Sequence, residues 1–153
     1  MSVVSFDELV VVFIDAFTEV ISTSTGVKLD VISSSNESSL EDYNGVISLS
    51  GSKPGMLFIS AGYDDSVILC SKMTGVLKEE ITKDDIIDTL CEFANMTAGN
   101  TKLRLGNSEY MYTLSSPFFL EGKDISIITK KKVRVVSTVF GNDAVTIKMK
   151  LVY

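Results

Sequence analysis

Residues 82–100 read TKDDIIDTLCEFANMTAGN, and the interpretation of this stretch sets the rest of the chain in order. At ~100° per residue it predicts a helix with Ile86, Leu90, Phe93 and Thr97 on one stripe. Ile87 and Ala94 widen that stripe into the apolar arc of a core-facing helix. The opposite arc carries Asp84, Asp88, Glu92, Asn95 and Gly99. Glu92 and Asn95 stand three apart, so their side chains are neighbours, and Asp88 lies one turn before Glu92. Thr82 with Asp85 has the pattern of a capping box and marks the start. Gly99, with Lys102 and Arg104 beyond it, marks the predicted stop.

A chain of 153 residues suits one domain with a real core. Its hydrophobic fraction of 45% against 22% charge places it among globular proteins and outside disordered ones. The net charge of −6 argues against a nucleic-acid binder, which needs a basic face to release phosphate counterions. Lys130, Lys131, Lys132 and Arg134 form the one basic cluster, expected at a strand edge or turn, where charge blocks edge pairing. Cys70 and Cys91 fall in predicted helices and read as reduced core thiols of a cytoplasmic protein. Asp7, Glu8 and Asp15 interrupt the apolar N-terminal run, so no signal peptide is read there, and no apolar stretch reaches membrane-spanning length. The composition includes no histidine. That excludes Ser-His-Asp and Cys-His catalysis and most zinc sites, and no phosphate-binding loop or dinucleotide fingerprint occurs. Chemistry is left to carboxylates, amides, hydroxyls, lysines or a group brought by a partner.

Elsewhere, Ser5-Phe6-Asp7-Glu8 is a second capping box. It opens a helix with Leu9, Val12, Phe13, Ala16, Phe17 and Val20 inward, fading over residues 22–26. Val27, Leu29 and Val31 alternate as a strand, and residues 33–41 read as a polar loop. Residues 46–50 and 56–60 form a hairpin over Gly51-Ser52-Lys53-Pro54-Gly55. Residues 64–74 predict a short helix stopped by Gly75. Residues 110–114 and 125–129 read as strands around Pro117 and Gly122. Residues 133–140 and 145–152 read as a second hairpin over Gly141-Asn142-Asp143. The order predicts a single α/β domain of the α+β kind: long helices packed on a mixed, mostly antiparallel sheet.

An internal repeat runs through this order. Asp15, Glu19, Ser22 and Gly26 have the spacing of Asp88, Glu92, Asn95 and Gly99 at a constant offset of 73 (88 − 15, 92 − 19, 99 − 26). Two readings of Asp84, Asp88, Glu92 and Asn95 stand side by side: a solvated helix face, or a surface kept for a partner. The three acids repel along one face at a few tenths of a kcal/mol per pair. Asparagine in mid-helix costs about half a kcal/mol against alanine. Such local disadvantages are expected where a surface serves a partner.

Asp88-x3-Glu92-x2-Asn95, followed by Gly99-Asn100 and then Pro117, resembles the signature of the CheC/CheX/FliY phosphatases of bacterial chemotaxis. The residue 51–55 hairpin, the Met73-Thr74-Gly75 helix end and the paired C-terminal strands extend the resemblance over most of the chain. It is nearest CheX, because one helix alone keeps the Glu/Asn pair and Ser22 stands where a first asparagine would be. The resemblance implies a CheC-like fold with pseudo-symmetric halves and dephosphorylation of a CheY-like receiver. It casts Glu92 and Asn95 as catalytic, with Asp88, Gly99 and Asn100 docking the partner. Asn95 would orient water, Glu92 would pair with a receiver lysine, and Mg2+ would come with the receiver rather than from a site in this chain. Pro117 would shape a loop without taking part in chemistry. A homodimer joined through sheet edges is also implied, which would suit exposed C-terminal strands. The competing reading is a non-enzymatic module that binds a receiver or kinase without turnover. A small-molecule enzyme has no motif to support it.

Overall fold

The computed structural model describes residues 3–153. Helix α1 (Phe6–Thr25) is followed by strands β1 (Asp30–Ser35), β2 (Tyr43–Gly51) and β3 (Gly55–Ala61) and by helix α2 (Tyr63–Thr74). A 3-10 turn (Lys78–Glu80) leads into helix α3 (Lys83–Leu105), and strands β4 (Tyr112–Leu114), β5 (Phe118–Glu121), β6 (Val135–Gly141) and β7 (Thr146–Val152) complete the chain. The strands form one sheet in the order β1-β6-β7-β3-β2-β4, with β5 also on β2, and every pairing is antiparallel.

This order is two-fold about the β3–β7 pair. Each half consists of a long helix, an outer strand and a hairpin, and the halves exchange outer strands. β1, which follows α1, lies on β6; β4 and β5, which follow α3, lie on β2. The pseudo-symmetric α+β domain expected from the sequence is therefore the one observed.

The helices cover one face, over a core that includes Phe13, Phe17, Ile47, Leu57, Ile59, Phe93, Phe140 and Met149. On the other face Leu40, Val46 and Phe58 gather Met56, Leu120, Ile125, Ile127 and Val152 into a smaller cluster. Lys150 faces the same way, opposite Phe58 and Ser137 in register. It is fully buried, and its Nζ donates to the Glu37 carbonyl at 2.9 Å and to Ser137 Oγ at 3.1 Å. Burial pushes its pKa down, opposed by the Glu37 charge.

Three expectations are corrected. The predicted loop at residues 33–41 begins as strand, because the edge strand β1 needs only backbone partners: Ser33, Ser34 and Ser35 pair with Val139, Thr138 and Ser137 despite their exposed side chains. Residues 125–129 are extended but join no named strand. Their Ile125 carbonyl and Ile127 N–H bond instead to Leu40 and Ser38 across the back of the sheet. The strand on that side is β5, which Pro117 separates from β4; proline has no N–H to give a continuous ladder. Finally, the C-terminal strands β6 and β7 lie inside the sheet, so the exposed edge on that side belongs to β1. The basic cluster sits at exposed positions in the turn before β6, as expected, with Lys132 at φ 76.

Candidate functional site

Helix α3 begins as its sequence dictates. Thr82 Oγ accepts from the Asp85 N–H at 3.2 Å, and the Asp85 carboxylate accepts from the Thr82 N–H at 2.9 Å. Its buried face holds Ile86, Leu90, Phe93, Ala94 and Thr97, with Ile87 half-buried. The predicted stop is wrong. Gly99 lies within the helix, which runs on to Leu105 and ends at Gly106. Thr101 and Leu105 are buried and continue the apolar stripe past Gly99 at helical spacing, a signal stronger than one glycine.

Three contacts fix α3 on the sheet. Near its start Lys83 pairs with Glu121 of β5. In the middle it lies on β2 at Gly45, where an added Cβ would stand 2.2 Å from the Leu90 carbonyl oxygen. Beyond Asn95, the buried Tyr112 hydroxyl donates to the Ala98 carbonyl at 2.6 Å; burial holds that phenol well above its ordinary pKa.

Held in this way, α3 turns Asp84, Asp88 and Glu92 outward to exposed positions, with Asn95 and Gly99 half-buried beside them. Among the described residues, the side chains of Asp88, Glu92 and Asn95 have no hydrogen bond or ion pair. An amide with its donors and acceptor unspent stands next to an unneutralised carboxylate on a rigid support. Asn95 is one turn from both Cys91 and Gly99. The half-buried Cys91 thiol is pushed up in pKa by burial and then by the Asp88 charge, so it is a poor nucleophile. Cys70 is fully buried with its thiol raised chiefly by burial. Among the described residues no three His, Cys, Asp or Glu side chains are grouped to hold a metal ion.

Asn100 stands apart from this file, about 140° round the helix from Asn95 at 100° per residue. Its Oδ1 accepts from Arg104 Nε at 2.6 Å, and the same guanidinium forms an ion pair with Glu19 of α1. In the first copy of the repeat, Asp15 and Glu19 are exposed and Ser22 half-buried, matching Asp88, Glu92 and Asn95 position for position. The chemistry differs. Glu19 is taken by Arg104, and Ser22 offers a hydroxyl too short to reach where an amide would. Arg104 was legible from sequence only as a helix-end cation; its partner lies 85 residues away.

Among solved structures, a CheC-like superfamily protein from Shewanella sp. PV-4 superposes with a TM-score of 0.82 at 22% identity, covering 97% of this chain and 98% of that one. CheX from Vibrio vulnificus gives 0.81 at 19% identity, covering 94% and 97%. CheX in a CheX–CheY–BeF3–Mg2+ complex from Borrelia burgdorferi gives 0.80 at 21% identity, covering 94% and 96%. At these identities the similarity establishes the fold. No curated protein sequence matches. The sequence profile described as chemotaxis phosphatase CheX matches residues 43–141, which span β2 to β6 and include all of α3. With more than half of its length inside that match, and with this fold, the chain belongs to the CheX family.

Proposed function

We propose that this protein is a cytoplasmic phosphatase that hydrolyses the aspartyl phosphate of a CheY-like receiver, with Asn95 orienting the attacking water. The observation that carries this reading is the unpartnered Glu92–Asn95 pair on a helix fixed to the sheet on either side of it. A family relative of the same fold has been captured with CheY, BeF3 and Mg2+, which supports a receiver as the partner.

Such a sparse site suffices because phosphoryl transfer is mostly positioning and charge stabilisation. The Asn95 carbonyl accepts a hydrogen bond from water and aims its lone pair at phosphorus, while the amide N–H groups donate to a phosphoryl oxygen. The bond from water oxygen to phosphorus forms, the bond from phosphorus to the aspartyl oxygen breaks, and the products are the free carboxylate and inorganic phosphate. Asn95 takes no proton, since an amide does not titrate near neutral pH. Glu92 pairs with a receiver lysine and sets the register; Asp88 and Gly99 complete the docking face. Asn100 serves that face from its rim, by holding Arg104 against Glu19. Mg2+ belongs to the receiver. Two copies join through the β1 edges, whose outer backbone groups are open to pairing.

The test is phosphate release from a phosphorylated CheY-like receiver. Wild type accelerates it, and Asn95→Ala loses roughly 10²-fold, the scale for one preorganised group, while still binding. Glu92→Lys loses binding through like-charge contact. An Asn95→Ala variant that keeps most of its turnover removes the water-positioning role. Wild type that binds the receiver without releasing phosphate makes the domain an interaction module.

A further inference from the structure

Helix α3 carries one more feature on the Asn95 face, and the internal structure gives it no purpose. Gly99 is followed by six further helical residues, its backbone is not left-handed, and nothing lies within 4 Å of where a Cβ would sit. Glycine there weakens the helix relative to alanine. Gly45 has an internal reason, its contact with the Leu90 carbonyl; Gly99 has none. Three residues on, Lys102 is half-exposed, and among the described residues it has no hydrogen bond or ion pair. At 100° per residue Lys102 falls within about 20° of Asn95, and Gly99 within about 40°. One file along α3 therefore reads acid at Asp84, Asp88 and Glu92, amide at Asn95, bare backbone at Gly99, and base at Lys102.

We propose that the Gly99–Lys102 turn is a second contact for the receiver: its backbone beside the phosphorylation site seats on Gly99, and one of its carboxylates pairs with Lys102. The inference rests on the reading of α3 as the receiver's docking helix. A partner offering a cation to Glu92 and a carboxylate to Lys102 fits α3 in one direction only. Reversed, it sets like charge against like. The two ends of the file therefore fix how the receiver lies across the helix, and so where its phosphoryl group meets Asn95. Glycine at 99 removes the one carbon that would hold the receiver backbone off the helix between those ends.

The experiment titrates the full chain with a CheY-like receiver saturated with beryllofluoride and magnesium to measure affinity, follows phosphate release from the phosphorylated receiver in a parallel assay, and records the melting temperature of each variant. Gly99→Ala is expected to melt higher than wild type yet bind more weakly, a combination a structural role would not produce. Gly99→Leu is expected to weaken binding by about tenfold or more. Lys102→Glu is expected to weaken it comparably at low salt and less at high salt, while Lys102→Arg keeps both affinity and the favourable charge at the helix end. If wild type is active and either Gly99→Leu or Lys102→Glu matches it, the second contact is overturned and the docking helix stands. If wild type neither binds nor dephosphorylates the receiver, both fall.

Discussion

Replacing Gly45 with alanine tests whether the site is held where the geometry places it. Gly45 sits in β2 between Ile59 of β3 and Phe119 of β5, with α3 lying directly on it. A Cβ there would meet the Leu90 carbonyl oxygen at 2.2 Å, the Leu90 carbonyl carbon at 2.5 Å and the Cys91 nitrogen at 2.9 Å. All three are backbone atoms, so no side chain can rotate away. Reaching ordinary contact requires α3 to rise by about 1 Å, against the Lys83–Glu121 pair on one side and the Tyr112–Ala98 hydrogen bond on the other.

Overpacking of this kind costs about 1–3 kcal/mol, and three unyielding backbone atoms of the helix place Gly45→Ala near the upper end. For a chain of this size each kcal/mol shifts the melting temperature by about 2–4 °C, so a fall of roughly 6–12 °C is expected. Turnover should fall further than stability explains, because a 1 Å misplacement near a reacting group costs on the order of 10²-fold. Thermal unfolding beside Gly62→Ala supplies the control: that residue has φ −76, and nothing lies within 4 Å of its absent Cβ. A Gly45→Ala protein that melts with wild type and the control, and keeps full turnover, would refute the direct seating of α3 on β2.

Two further outcomes follow from other parts of the fold. Lys150 has a folded-state pKa below its unfolded value, so the native state binds fewer protons than the unfolded state between the two. Stability therefore rises with pH through that window, up to about pH 10.4. Lys150→Met should abolish that rise and leave stability at neutral pH unchanged or higher; denaturant midpoints of both proteins at about pH 7 and about pH 10 check it, and parallel changes would exclude the buried lysine as the cause. Strand β1 exposes Val31 and Ile32 and carries no lysine or proline to block its open edge. A solution mass of twice 16.7 kDa is expected, reduced to one chain by Val31→Lys with Ile32→Lys, and a monomeric wild type would dismiss the β1 pairing.

What could be read in the sequence was what short-range physics controls. Ser5/Glu8 and Thr82/Asp85 place the helix starts because each capping box closes within four residues. The two hairpins follow from glycine-bearing turns between apolar alternations. Which side chains share the Asn95 face follows from the helical repeat alone. The serine-rich β1 was hidden because an edge strand is specified by the neighbour it pairs with, here β6, more than a hundred residues downstream. Residues 125–129 have a strand's alternation because Ile125 and Ile127 bury against Leu40, Val46 and Phe58, without any requirement for a place in the main sheet. The links Arg104–Glu19 and Gly45–Leu90 were invisible for the same reason: each joins distant positions through folded geometry.

The pair Gly26 and Gly99 shows how one half of the repeat leaves its acid unpartnered while the other ties its acid down. At Gly26 the chain turns left-handed, with φ 75, and its N–H closes on the Ser22 carbonyl. Val27, Lys28 and Leu29 follow with no helical stripe, so α1 ends three residues after the serine that stands in for the amide. At Gly99 the downstream residues Thr101 and Leu105 still face the core, and burying them outweighs the low helix propensity of a single glycine. Helix α3 therefore extends past its repeat partner. That extension carries Arg104 to Glu19, neutralising the acid of the first copy, and carries Lys102 onto the Asn95 file of the second. The same extra turns thus tie up the acid of one face and lengthen the other; with serine in place of an amide at 22, the duplicated spacing presents one free acid–amide pair among the described residues.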